Sequence, residues 1–172
     1  MKEVNLYVQG MCKNDVSERP GSYVCMLEYK GHKKILSDFM EHTTANKVML
    51  IGITNAIKLL KETCCINIYI PCSLGFKKIY RNGEYIQTKS ERYNYKELNI
   101  LSDLMVKKGH KHNEIVTYKY ANQLKEINKS RYVHKYKMYK RLKNLRDQNN
   151  LPDIEVEETE SISDSPITNI GE

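Results

Sequence analysis

The sequence predicts an α/β fold, a five-stranded mixed sheet flanked by helices in the order βββαβααβα. Three strand-like segments, the first of which alternates apolar and polar residues, fill about half of the first 40 positions. An amphipathic segment and a short apolar run follow, and a long basic segment with helical periodicity comes later. With 172 residues, the chain has room for one domain with a core, predicted over 1–148, and an acidic tail over 149–172 that is expected to be disordered.

The opening predicts an antiparallel meander of three strands. Pro20-Gly21 indicates a turn before the second strand, and Lys30 to Lys33 a hairpin turn after it. The predicted strands cover Val4–Val8, Ser22–Tyr29 and Lys34–Phe39.

A helix and a central strand are predicted next. Thr43 or Thr44 can cap the helix by accepting an unpaired backbone N–H, and its broad apolar face runs to Lys61. Cys65–Ile70 is an almost continuous apolar run, as expected of a buried strand. Pro71 ends this strand because proline cannot donate a ladder hydrogen bond.

The second half predicts three helices and a fifth strand. Ser73–Tyr80 is expected to be a short helix, and Glu114–Tyr120 alternates as a strand does. The longer helices are predicted over Tyr93–Lys108 and Lys125–Asp147.

The charge is divided unevenly along the chain. The whole sequence carries a net charge of +7, but seven of its 21 acids lie in residues 151–172, which contain no Lys or Arg. Residues 1–150 therefore hold 28 basic and 14 acidic residues, a net charge of +14. So basic a domain favours a phosphate-bearing partner, although a basic surface that serves only solubility is the alternative.

Cysteine and histidine give no sign of a metal or a cofactor. The five cysteines form no CxxC pair, so we expect free thiols and neither disulfides nor zinc. His110 and His112 are expected to be solvated loop residues. There is no Gly-rich phosphate loop, no apolar run long enough for a membrane span and no leader pattern, so a cytoplasmic protein is expected.

Three segments resemble motifs of bacterial-type ribonuclease H. Residues 6–12, LYVQGMC, are similar to that family's first-strand motif, and residues 43–50, TTANKVML, to the segment that opens its first helix. Residues 67–73, NIYIPCS, resemble its fourth-strand motif. The three motifs occur in family order, and the resemblance covers about residues 1–80.

The resemblance implies a two-metal nuclease site, but none of the four expected acids is present. The family's acids correspond to Gln9, Met49, Pro71 and, in the last helix, Tyr132. A shorter alignment puts Asn122 at the fourth position. Magnesium requires hard anionic oxygen ligands, so we expect neither a bound metal nor hydrolysis.

The resemblance also implies residues that contact nucleic acid. Gly10, Thr44, Asn46 and Lys47 lie in the matching segments, and Thr44 could contact a phosphate. The same threonine is equally well explained as a helix cap.

The last helix carries a tyrosine–lysine stripe that could stack on bases and bind phosphates. Ile127, Met138, Leu142 and Leu145 are expected to pack on the sheet, and the acidic tail could fold back on the basic face. The stripe consists of Lys129, Tyr132, Tyr136, Tyr139, Lys140 and Lys143.

These observations predict a catalytically silent ribonuclease H-like module that binds RNA, an RNA/DNA hybrid or a nucleoprotein complex through its basic face. The alternative is a protein–protein scaffold or accessory subunit that reuses the fold with little nucleic-acid contact. An enzyme with relocated catalytic groups is a third reading.

Overall fold

The computed structural model describes residues 1–12, 19–89, 91–92 and 94–149; the side chains at positions 19, 132–136 and 149 are outside this description. The predicted tail therefore lies outside the described residues, apart from position 149. Within the described chain no helix is both long and apolar enough to cross a membrane. The elements are β1 (Lys2–Cys12), β2 (Arg19–Tyr29), β3 (His32–Thr43), α1 (Ala45–Lys58), β4 (Cys64–Ile70), a 3-10 turn (Phe76–Lys78), β5 (Tyr80–Arg81), β6 (Glu84–Tyr85), α2 (Tyr95–Lys108), β7 (Lys111–Val116) and α3 (Ala121–Asn149).

The predicted mixed five-stranded sheet is confirmed. Its strand order is β3-β2-β1-β4-β7, with β1, β2 and β3 antiparallel and with β4 and β7 parallel to β1. A short β5–β6 hairpin was not predicted. The sheet makes β1 and β4 central neighbours, so their carboxyl ends lie side by side.

The turns of the meander differ from the prediction at one place. Lys30 and Gly31 form the β2–β3 turn, and both have positive φ angles, of 47° and 80°, as a tight hairpin requires. Pro20-Gly21, however, lies inside β2, where the pairing with β3 shifts register between Arg19 and Gly21. The predicted turn is therefore wrong, because a strand can accommodate proline where its pairing is irregular, here near the start of β2.

The helix α1 covers one face of the sheet and forms the main core with α2. Even-numbered β1 and β4 residues such as Leu6 and Ile68 point into it and are fully buried. In α1, Leu50, Ile53 and Ile57 supply the facing side chains, spaced as one helical face requires.

The last strand starts three residues earlier than predicted, and this changes the account of the histidines. β7 covers Lys111–Val116 because it pairs with β4 from Cys65↔Lys111 to Ile70↔Val116. The expectation that His110 and His112 are solvated is wrong, since His110 is buried and His112 half-buried. His110 Nδ1 accepts a hydrogen bond from the Cys64 backbone N–H at 3.0 Å.

The helix α3 packs across the opposite face of the sheet, over β1, β2 and β3. It contributes Leu124 to a second apolar cluster with Tyr7, Val24 and Met26. The rings of Tyr7 and Tyr69 stack at 4.7 Å, and Tyr120, just before α3, packs edge-on against Tyr7 at 4.5 Å.

Candidate nucleic-acid interface

Three of the four positions singled out by the resemblance converge at one end of the sheet. Tyr7 pairs with Tyr69 in the parallel register, which puts Gln9 level with Pro71 at the carboxyl ends of β1 and β4. The first turns of α1 lie directly against this end. A Cβ atom on Gly10 would stand only 2.8 Å from Met49 Cγ and 2.9 Å from the Ala45 carbonyl oxygen.

The side chains at this point are neutral and buried. Gln9 and Met49 are only 6% and 2% exposed, and Pro71 is also buried. Gln9 Nε2 donates to the Gly10 carbonyl oxygen at 2.9 Å, while Gln9 Oε1 has no partner among the described residues. Gln9 offers one amide oxygen and Met49 a thioether, and both donors suit hard divalent cations poorly. In the described part of the chain, no group of three or more His, Cys, Asp or Glu side chains is arranged to hold a metal.

The amino end of α1 borders this point and exposes hydrogen-bonding groups. Thr44 is the N-cap, and its hydroxyl accepts the Lys47 N–H at 3.2 Å. The cap interpretation is therefore confirmed, but the hydroxyl proton can still be donated to another group. Asn46 is exposed beside Cys72, with Cys72 Sγ 3.5 Å from Asn46 Oδ1. No acid lies in the first turn, so the positive end of the helix dipole is not neutralised there.

Asn128 anchors α3 to the sheet beside this site, a role that was not predicted. It is fully buried; its Oδ1 accepts the Ser22 hydroxyl proton at 2.8 Å, and its Nδ2 donates to the Ser22 carbonyl oxygen at 3.3 Å. Ser22 is paired with Met11 of β1, two residues beyond Gln9. The side chain of Tyr132 is outside the described residues, and Asn122 is exposed.

The structure corrects the expected stripe on α3. Tyr139 is 9% exposed, its ring lies 5.7 Å from that of Phe39, and its hydroxyl donates to Glu41. Its ring is therefore packed on β3 and is not available for stacking on bases. The side chain of Tyr136 is outside the described residues.

The lysines of the stripe do form an exposed basic face, which we define as Lys125, Lys129, Lys140 and Lys143. At 100° per residue these four positions fall within about 60° of one another and span about 27 Å of helix axis. Lys125 was not among the sequence-predicted residues. The face lies roughly 100° around the helix from the side that packs on the sheet.

The expected packing of the α3 apolar stripe on the sheet is wrong beyond Ile127. Ile127 is half-buried, but Met138, Leu142 and Leu145 are 51%, 42% and 45% exposed. For Leu142 and Leu145 the reason is length, since α3 reaches the edge strand β3 at Tyr139 and then continues for ten residues to Asn149.

A second polar group, at His112, lies away from this end of the sheet. His112 Nδ1 and the Tyr85 hydroxyl are 2.5 Å apart, and burial lowers the pKa of His112 from 6.5 to about 4. The imidazole is therefore neutral at pH 7.

This histidine should make stability depend on pH. Below pH 6.5 the unfolded chain binds a proton that folded His112 does not, so stability should fall as pH drops from about 6.5 towards 4. The full loss is at most about 3 kcal/mol. Urea unfolding at pH 7 and pH 5 measures it. The variant H112Q should reduce the dependence and leave the part that comes from His110, because burial also lowers the pKa of His110. H32Q, at an exposed histidine, should leave the dependence unchanged; equal slopes in both variants would contradict the assignment.

Comparisons with known proteins agree with the fold. The ribonuclease H family model matches residues 1–152. The chain is 33% identical to a ribonuclease H of Caldicellulosiruptor saccharolyticus over 61% of this chain and 74% of that protein. It is 32% identical to a ribonuclease H of Acetivibrio thermocellus over 66% of this chain and 87% of that protein.

Solved structures show the same fold. A ribonuclease H1 isolated from compost superimposes with a TM-score of 0.52 at 12% identity, over 76% of this chain and 95% of that one. Ribonuclease H1 of Halobacterium salinarum gives 0.53 at 11% identity, over 73% and 93%. With the family model matched along most of its length, the chain belongs to the ribonuclease H family.

Proposed function

We propose that this protein is a ribonuclease H family member that binds RNA or an RNA/DNA hybrid without hydrolysing it. The observation that carries the proposal is the convergence of Gln9, Met49 and Pro71, three neutral and buried residues, at the meeting point of β1, β4 and α1.

The chemistry of two-metal hydrolysis explains why this convergence matters. Two dications about 4 Å apart repel each other, and carboxylates must offset their charge while the ions activate water and stabilise the leaving oxygen. Gln9 offers at most one neutral oxygen, Met49 a soft sulfur and Pro71 no side-chain ligand. Such a pocket supplies no negative charge to hold either ion.

Binding requires less than catalysis does. The exposed basic face of α3 can neutralise phosphates and release counterions. The amino end of α1 adds hydrogen-bonding groups through Thr44, Asn46 and Lys47, and Gly10 keeps the strand close to that turn. An A-form helix is recognised largely by its shape and its 2′-hydroxyls, for which few side chains suffice.

A labelled RNA/DNA hybrid tests both halves of the proposal. We expect affinity that falls steeply with salt, and no cleavage with magnesium or manganese under conditions in which a catalytically active ribonuclease H digests the same hybrid. Cleavage that a chelator abolishes would contradict the proposed inactivity. Absence of binding at low salt would contradict the proposed binding.

Thr44 offers a way to separate its two roles. Removing the cap in T44A should cost about 1 kcal/mol of stability. T44D should keep the cap, because aspartate is a strong N-cap residue, but should weaken nucleic-acid binding through charge repulsion with a phosphate. Unfolding midpoints and hybrid affinities measured on both variants distinguish the roles. If T44D binds as tightly as the unaltered protein, Thr44 is a cap alone.

One observation favours a second candidate, a scaffold or subunit that binds another protein. The exposed stripe of Met138, Leu142 and Leu145 is an apolar surface on a helix that has passed the edge of the sheet. Exposed contiguous apolar residues often mark protein contacts. A protein partner recovered from native cells, together with absent hybrid binding at low salt, would favour this candidate.

A further inference from the structure

A small cleft opens between the β5–β6 hairpin region and the edge strand β7, away from the convergence of Gln9, Met49 and Pro71. Its volume is about 260 Å³, which admits one small ring system but not a stacked pair. Aromatic and polar residues line it together: Phe76, Lys77, Tyr80, His112, Asn113 and Glu114.

The aromatic side of the cleft is fixed in place by ring contacts. The His112 ring lies 5.2 Å from Phe76 and 5.0 Å from Tyr80, and Tyr80 lies 4.7 Å from Tyr85. The Tyr85 hydroxyl bonds His112 Nδ1. These contacts hold the walls before any ligand arrives, which reduces the ordering cost of binding.

The polar side offers one carboxylate and one cation. Glu114 is half-buried, and burial raises the pKa of its carboxyl while Lys77 and Ser73 lower it. Lys77 is exposed at the rim. The Asn113 amide is already committed, since its Nδ2 donates to Asn67 Oδ1 at 2.9 Å.

We propose that this cleft binds a single unpaired nucleobase, preferably guanine, of the RNA that the basic face holds. Tyr80 supplies the aromatic surface for the base, while Phe76 is buried behind it. The Glu114 carboxylate accepts from the two adjacent N–H donors of the guanine edge. Lys77 lies where it can meet the attached phosphate. The inference rests on the proposed function in taking RNA as the partner.

The charges argue against an arginine side chain of a protein partner as the ligand. A guanidinium also suits an aromatic wall and a carboxylate, but here it would lie close to Lys77 on a chain of net charge +7. A base within a duplex is excluded as well, because its pairing edge is occupied. Unpaired bases are the ones that proteins stack on aromatic rings and read along that edge.

Titration of the full chain with the four nucleoside 5′-monophosphates, followed by the ring-proton NMR signals of His112, tests the cleft directly. We expect guanosine monophosphate to bind about ten-fold more tightly than cytidine monophosphate. The variant E114Q should remove this preference, and Y80A should weaken all four by about ten-fold through lost stacking. E84Q, at an exposed glutamate of the same hairpin, should change nothing.

The experiments test base binding in the cleft and the proposed function independently. A hybrid with a single-stranded guanine overhang should bind more tightly than a blunt one, and E114Q should remove only that gain. Blunt-hybrid binding without a gain from the overhang, and without guanosine monophosphate binding, would overturn the cleft and leave the proposed function standing. Binding of guanosine monophosphate without hybrid binding would support the cleft and overturn the proposed function. Tighter binding of arginine amide than of any nucleotide would assign the cleft to a protein side chain and overturn the inference.

Discussion

Replacing the four lysines of the basic face by glutamine is expected to lower the affinity for an RNA/DNA hybrid roughly a hundred-fold at low salt. Lys125, Lys129, Lys140 and Lys143 are all exposed and form one line along α3. If each meets one phosphate, the slope of log affinity against log salt should decrease by about 3 to 4. Fluorescence anisotropy at several salt concentrations measures both quantities.

Net charge alone could produce part of this loss, so the control must change charge equally. Lys61, Lys89, Lys96 and Lys107 are also exposed and lie outside α3. Their quadruple glutamine variant should reduce affinity much less and leave most of the salt slope. Equal losses in the two variants would mean that α3 is not the binding face.

Replacing Gly10 by alanine is expected to destabilise the fold by about 2 kcal/mol, because the added methyl group overpacks the junction of β1 and α1. The new Cβ would stand 2.9 Å from the Ala45 carbonyl oxygen, which is backbone, and 3.1 Å from Val48 Cγ1. These close contacts can be relieved only if α1 moves away from β1. That movement also displaces Thr44 and Asn46, so hybrid affinity should fall together with stability.

Gly31 supplies the matched comparison for this variant. A Cβ at Gly31 meets nothing within 4 Å, but its φ of +80° makes alanine cost about 1 kcal/mol through backbone strain. Urea unfolding of G10A and G31A should therefore show the larger loss in G10A, and only G10A should lose hybrid affinity. A smaller loss of stability in G10A than in G31A would mean that β1 and α1 can separate at little cost in free energy.

The sequence was most informative where local pattern and chain order agree. The three-strand meander, the Thr44 cap and the end of β4 at Pro71 all rest on short-range signals, and the structure contains each of them. The shift of β7 could not be foreseen, since it depends on pairing with β4, 46 residues earlier for Cys65↔Lys111. The local alternation continued to Tyr120, whereas the ladder stops at Val116.

Motif order predicted that Gln9, Met49 and Pro71 share one end of the sheet, and the structure places the three positions there because strand ends and a helix start determine them. Their role in a site stays a prediction. The periodicity of α3 identified its apolar side, but the width of the sheet decides how far that side is covered. Tyr139 packs on β3 because the sheet extends that far along the helix. The buried hydrogen bond between Asn128 and Ser22 joins residues 106 positions apart, so local sequence patterns do not indicate it.

The length of α3 has a geometric consequence for whatever follows it. Asn149 lies ten residues past Tyr139, so the helix carries the chain about 15 Å beyond the contact of Tyr139 with β3. In the sequence, the seven carboxylates of residues 151–172 follow this end of the helix. Insertion or removal of whole turns between Tyr139 and Asn149 would move that end in steps of about 5.4 Å without disturbing the sheet.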